Sequence, residues 1–123
     1  MEPVHLIWKK SCETCRRFKR QLDAWGVVYT DREINAQPLT APELEALIGE
    51  TPVKQWLNTQ NETYRALKLK DNPPDKARAV ALIAEHNNLL RRPVLRVGAQ
   101  LVVGNDLEAA AHLLGKQFHC ALP

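Results

Sequence analysis

Two cysteines stand three positions apart in Ser11-Cys12-Glu13-Thr14-Cys15-Arg16, and no other spacing in the chain speaks so directly of chemistry. The thiolate, not the thiol, is the nucleophile of disulfide exchange. After the pair, Cys15, Phe18, Leu22 and Trp25 recur at i, i+3, i+7 and i+10, one face of a helix. This pattern predicts a helix from about Glu13 to Gly26, with Cys12 at its first turn and Cys15 one turn further in. Backbone N–H groups and the helix dipole favour a thiolate at that end. Lys9, Lys10, Arg16, Arg17, Lys19 and Arg20 add positive charge nearby. Cys12 is therefore the expected nucleophile, and Cys15, on the apolar side of the helix, the expected resolving thiol.

Two blander uses of the pair compete with this one. Tetrahedral zinc wants four ligands, as a rule from a second C-x-x-C or H-x-x-x-H cluster. His5, His86, His112, His119 and Cys120 are scattered without such spacing, so no metal is expected. A purely structural disulfide across two residues would close a very short loop and restrict the unfolded chain little. A redox pair is the favoured reading.

The elements that must position the pair can be read on either side of it. Val4-His5-Leu6-Ile7-Trp8 is a short bulky run that suits a buried strand, and Val27-Val28-Tyr29-Thr30 a second one. A helical crossover between them implies parallel pairing. Thr40 and Glu43 form a capping box ahead of a helix whose apolar face is Ala41, Leu44, Leu47 and Ile48, closed by Gly49. Thr51-Pro52 starts a further helical piece with Val53, Trp56 and Leu57, and Tyr64, Leu67 and Leu69 mark another. Asp75 caps a longer helix in which Ala77, Val80, Ala81 and Ala84 share a face, and which Asn87-Asn88 ends. Val94–Val97 and Leu101–Val103 around Gly98-Ala99-Gln100 predict an antiparallel hairpin, followed by a helix over Leu107–Leu114 that Gly115 terminates.

The order is β-α-β, a block of helices, then β-β-α. That is an α/β, thioredoxin-like mixed sheet with a helical insertion between its halves. One domain is expected over 1–115, with the insert at about 40–88 and a tail over 116–123. Pro93 falls just before a strand, where it need not donate to the ladder. A cis bond flanking the cysteine loop and an ordinary trans proline both agree with the residues.

Composition sets the outer limits. The 123 residues suffice for one core without staples, and 45% hydrophobic and 25% charged residues are ordinary for a globular protein. The net charge, 17 − 14 = +3, is mild and much of it lies around the cysteine helix, so direct nucleic-acid binding is not expected. No apolar run is long enough to span a membrane, and a signal peptide is not evident. Three cysteines without an export signal suggest the cytoplasm, where a C-x-x-C is more often catalytic or sensing than structural. Cys120, in the tail, is read as an incidental thiol.

The sequence resembles the glutaredoxin-coupled arsenate reductase (ArsC) family and its Spx-type regulator branch, from about Leu6 to Leu114. The matching pieces begin with Ser11-Cys12-Glu13-Thr14-Cys15-Arg16 and Gln37-Pro38-Leu39-Thr40-x-x-Glu43-Leu44. They continue with Asn58-Thr59-Gln60, Tyr64-Arg65, and Leu89-Leu90-Arg91-Arg92-Pro93-Val94-Leu95 leading to Val102-Val103-Gly104-Asn105. The resemblance implies a thioredoxin fold with a helical insert. In the arsenate reductases a cysteine matching Cys12 attacks arsenate, arginines hold the oxyanion, and glutathione with glutaredoxin resolves the adduct.

Cys12 and Arg92 match that pattern, whereas Asn58 or Gln60, and Val103, stand where further arginines are expected. Cys15 instead matches the Spx branch, whose C-x-x-C switch governs binding to RNA polymerase; that branch's long C-terminal extension is here a short tail. Arg92, Ser11, Thr14 and Gln60 are the residues expected to hold an anion or glutathione, with Pro93 beside the site. No bound cofactor is expected, and glutathione enters only as co-substrate. Two functions follow: a small reductase served by glutaredoxin, thioredoxin or glutathione, or a redox sensor that meets RNA polymerase.

Overall fold

The computed structural model describes residues 2–117, so Cys120 and His119 lie outside the described residues. The chain forms two compact units, 1–33 with 92–123, and 34–91.

The first unit is built on a four-stranded sheet ordered β2-β1-β3-β4. Its strands are β1 (Val4–Trp8), β2 (Thr30–Glu33), β3 (Val94–Val97) and β4 (Gln100–Val103). β1 runs parallel to β2, while β1–β3 and β3–β4 are antiparallel, the mixed sheet that the element order predicts. Two helices, α1 (Glu13–Ala24) and α5 (Leu107–Leu114), complete the unit. Phe18 and Leu22 of α1, Leu6 of β1, Leu95 of β3 and Ala110 of α5 are fully buried together, with Val4, Val97 and Val102 around them. Full burial of each large side chain removes about 1.5–3 kcal/mol worth of apolar surface from water.

The second strand is displaced from its expected place. Val27 and Tyr29 do pack against the core, and Val28 between them is 85% exposed, so the segment alternates as an extended chain should. Its ladder begins only at Thr30, opposite His5, and runs to Glu33 opposite Trp8. In this register Tyr29 falls opposite Val4, the first residue of β1, and only Thr30–Glu33 join the ladder.

The second unit is helical: α2 (Ala41–Ile48), a 3₁₀ turn over Val53–Trp56, α3 (Glu62–Ala66), α4 (Lys76–Glu85) and a second 3₁₀ turn over Asn87–Leu89. The Thr40–Glu43 capping box forms as predicted, and Asp75 caps α4 by accepting from the Arg78 N–H at 2.8 Å. The buried face of α4 is Ala79, Val80 and Ile83; Ala77 and Ala81 are exposed, which corrects the expected face. Ala79, Val80 and Ile83 lie at i, i+1 and i+4, and turning that face inward leaves Ala77 and Ala81 outward. Leu67, expected on an apolar side, is 39% exposed, while Leu69 is buried. Pro52 precedes its turn rather than opening it.

Asn87 does more than end a helix. Its Oδ1 accepts from the Leu39 N–H at 2.7 Å, and its Nδ2 donates to the carbonyls of Ile83 at 2.8 Å and Leu39 at 3.3 Å. One amide thus ties the entry of α2 to the exit of α4. Nearby, Trp56 is fully buried, and its indole N–H donates to Thr51 Oγ1 at 2.8 Å.

Candidate functional site

β1 delivers the chain to the cysteine loop. After Trp8, the Lys10 N–H donates to the Glu33 carboxylate at 2.8 Å, and the Cys12 N–H donates to the Lys9 carbonyl at 3.0 Å. This tight turn brings Cys12 to the N-cap of α1, with φ −94° and ψ 116°, and the Arg16 N–H closes the first helical bond onto the Cys12 carbonyl at 3.0 Å. Cysteine is a poor cap in its thiol form, and its sulfur makes no regular capping hydrogen bond. The N–H groups of Cys15 and Thr14 nonetheless lie toward it and favour the charged sulfur.

One turn in, Cys15 is fully buried, as the helical period predicts. Both thiols are free. Their environments pull in opposite directions. Partial burial pushes the Cys12 thiol up. The Cys15 backbone N–H, the Cys15 thiol donating toward it, the Arg92 guanidinium and the Thr14 N–H outweigh that, so Cys12 sits below the ordinary cysteine value. Cys15 is pushed up to about 11, chiefly by burial and then by its bond to Cys12 and the nearby Cys12 charge; the Lys9 backbone and Arg92 oppose this only partly. The two thiols are thus distinguished by burial and by one helical turn.

The cations of α1 do not act as expected. Arg16, Arg17 and Arg20 all turn onto Glu13: Arg16 Nη2 is bonded to Glu13 Oε2, Arg17 Nε lies 3.4 Å from Oε1, and Arg20 Nη2 3.3 Å from the same oxygen. The bonds to Arg16 and Arg20 draw Glu13 below the usual carboxylate range. Lys19 lies over the rings of Trp8 and Tyr29, 5.5 Å and 5.6 Å from their centres, and 3.5 Å from Asp23. Glu13 escaped the sequence reading, although its i+3, i+4 and i+7 spacing to the three arginines was there to find. The electrostatic partner that bears on Cys12 is Arg92, eighty positions away in sequence.

Arg92 and Pro93 enter at the start of β3. Their peptide bond is cis, Arg92 is half-buried, Pro93 is buried, and the Pro93 carbonyl accepts from the Gly104 N–H at 2.8 Å. Ser11 and Thr14 are exposed on either side of Cys12. Gln60 belongs to the second unit, where its N–H donates to Asn58 Oδ1 at 3.1 Å in a tight turn. Val103 lies half-buried in β4 and offers neither charge nor hydrogen bond. The first unit therefore brings Cys12, Cys15, Arg92, Ser11, Thr14 and Pro93 into one sheet-and-helix framework.

Known proteins resemble this chain in sequence and fold. The chain is 29% identical over 116 residues to the global transcriptional regulator Spx of Staphylococcus haemolyticus, covering 93% of this chain and 88% of that one. The structure of the YffB (PA3664) protein superposes with a TM-score of 0.80 at 27% identity, over 90% of this chain and 98% of that one. A structure described as a possible arsenate reductase from Streptococcus mutans matches at a TM-score of 0.71 and 28% identity, over 85% and 92% of the two chains. The sheet order, the thiol at the head of α1 and the Arg92–Pro93 entry to β3 fall within residues 7–113, which match the ArsC family model, and the chain belongs to the ArsC family.

Proposed function

We propose that the protein is a thiol–disulfide reductase of the cytoplasm that uses Cys12 and Cys15 in sequence. The observation that carries this reading is the asymmetry of the pair: an accessible, acidified Cys12 at a helix terminus above a buried, protonated Cys15. In the first step the Cys12 thiolate attacks one sulfur of a substrate disulfide, forms a mixed disulfide and releases the other sulfur as a thiol. In the second, Cys15 loses its proton and attacks the Cys12 sulfur, expelling the remaining substrate thiol and leaving a Cys12–Cys15 disulfide. Two electrons from glutathione, glutaredoxin or thioredoxin then restore both thiols. Arg92 faces the Cys12 sulfur, and with Ser11 and Thr14 beside the helix terminus it supplies donors for an anionic group such as a glutathione carboxylate.

A second reading is favoured by the likeness to Spx across nearly the whole chain. There the same pair acts as a redox sensor, and the partner is a subunit of RNA polymerase. Capture from a host lysate separates the two. Cys15→Ser should trap glutaredoxin, thioredoxin or glutathione on Cys12 as a mixed disulfide, with Cys12→Ser as the blank. Polymerase subunits retained by the wild type in a redox-dependent way, without a covalent adduct, would replace the reductase reading by the sensor.

A further inference from the structure

At the end of the sheet where β1 begins, away from the cysteine loop, the first unit forms a partly open recess of about 240 Å³. Val4, Val27, Val97 and Leu113 are among the side chains that line it, and the sequence motifs around Cys12 contribute nothing to it. Cavities of on the order of 150 Å³ lined this way hold a molecule the size of benzene. This one therefore has room for a branched aliphatic side chain.

Two charged residues complete the lining, Glu2 and Lys116. Each is set in place by a backbone turn. The Gly98 N–H donates to the Pro3 carbonyl at 2.9 Å, and Gly98 holds φ +61° at the β3–β4 turn. A Cβ on Gly98 would collide with the Glu2 carboxylate, coming within 2.7 Å of its Cδ, so the bare glycine is what lets Glu2 lie there. On the other side Gly115 caps α5 in the left-handed conformation, and the Lys116 N–H returns to the Ala111 carbonyl at 2.8 Å. Neither Glu2 nor Lys116 forms an ion pair with another described residue. The result is an apolar recess with one anion and one cation bordering it.

Small molecules that carry an ammonium, a carboxylate and a compact apolar group on neighbouring atoms are aliphatic α-amino acids. From this complementarity we infer that the cavity binds a free aliphatic α-amino acid such as leucine, its side chain among the valines, its ammonium on Glu2 and its carboxylate on Lys116. The site is separate from the thiol pair and does not depend on the redox reading.

The test is a methyl-detected NMR titration of the full chain with L-leucine, 4-methylpentanoate, 3-methylbutylamine and glycine. Leucine should give saturable shifts confined to the lining methyl groups of Val4, Val27, Val28, Val97, Leu113 and Leu114. The two analogues, each lacking one charge, should bind about tenfold more weakly or worse, and glycine should not bind, because one charge-assisted hydrogen bond is worth at least that ratio. Glu2→Gln, at an exposed position, should weaken leucine by a similar factor and leave 4-methylpentanoate unchanged. Absence of shifts with leucine on the order of ten millimolar would overturn the assignment. So would 4-methylpentanoate binding as tightly as leucine, or leucine binding unaltered in Glu2→Gln.

Discussion

Cys12 and Cys15 occupy the N-cap and the third position of one helix, and that single turn leaves one thiol accessible and the other without exposed surface. Burial and the backbone N–H groups then sort their proton affinities in opposite directions. A nucleophile and a resolving group result from one short segment because the helix rotates the second sulfur into the core.

Alkylation should follow that division. Iodoacetamide should modify Cys12 first, with a pH midpoint below the unperturbed value of about 8.5. Cys15, kept protonated chiefly by its burial, should stay unmodified at pH 8 in Cys12→Ser. Mass spectrometry of the two single variants against pH measures both, and a Cys12 midpoint at or above 8.5 would contradict the geometry.

Arg92→Ala should move the Cys12 midpoint upward and slow its alkylation at neutral pH by on the order of tenfold or less, the effect of about one pKa unit. Arg92→Lys should recover part of the loss. Glu13→Gln should leave the midpoint nearly unchanged, because the arginines it holds lie along the outside of α1. A larger shift from Glu13→Gln than from Arg92→Ala would reverse the assignment.

The pair should close reversibly. Stabilising the Cys12 thiolate stabilises the reduced protein, which makes the disulfide comparatively oxidising among thioredoxin-type pairs. A glutathione redox titration with thiol counting, in a Cys120→Ser background, should lose two thiols together. If two thiols persist in strongly oxidising buffer, or only a Cys12 adduct forms, Cys15 is a packing residue.

Arsenate should be a poor substrate. Arg92 bears on Cys12, but Val103 on β4 and the uncharged Asn58 and Gln60 occupy the positions where the resemblance leads one to expect further arginines. Turnover with glutathione and glutaredoxin should fall well below about 1 per second, the lower end of typical enzymes.

Alkaline pH should destabilise the reduced protein through Cys15. Its folded pKa is raised, so the unfolded chain releases this proton first and folding holds it back. The stabilisation is present below the ordinary cysteine value and is lost as pH climbs toward about 11. Denaturant curves at pH 8 and pH 10.5 should show a larger drop for the wild type than for Cys15→Ala. Equal drops would mean that the proton is not retained.

Local chemistry made much of this fold legible. The helical face of Cys15, Phe18 and Leu22, the capping box at Thr40 and Glu43, the cap at Asp75, and the hairpin about Gly98 are all decided within a few residues, where short-range sterics and hydrogen bonds dominate. So was the place of Cys12 at the head of α1, where a helix terminus acts on what stands beside it. Other features answer to partners distant in sequence. The start of β2 is set by its register on β1, and the extended Val27–Tyr29 segment precedes the ladder it was expected to open. The buried face of α4 is chosen by what Ile83 packs into, not by the spacing of its alanines. Arg92 reaches the thiols only because β3 pairs antiparallel beside β1, and the three arginines of α1 are drawn off by Glu13 once the helix has formed. Helical period and capping are written locally, whereas pairing register, burial and long-range charge are properties of the assembled sheet.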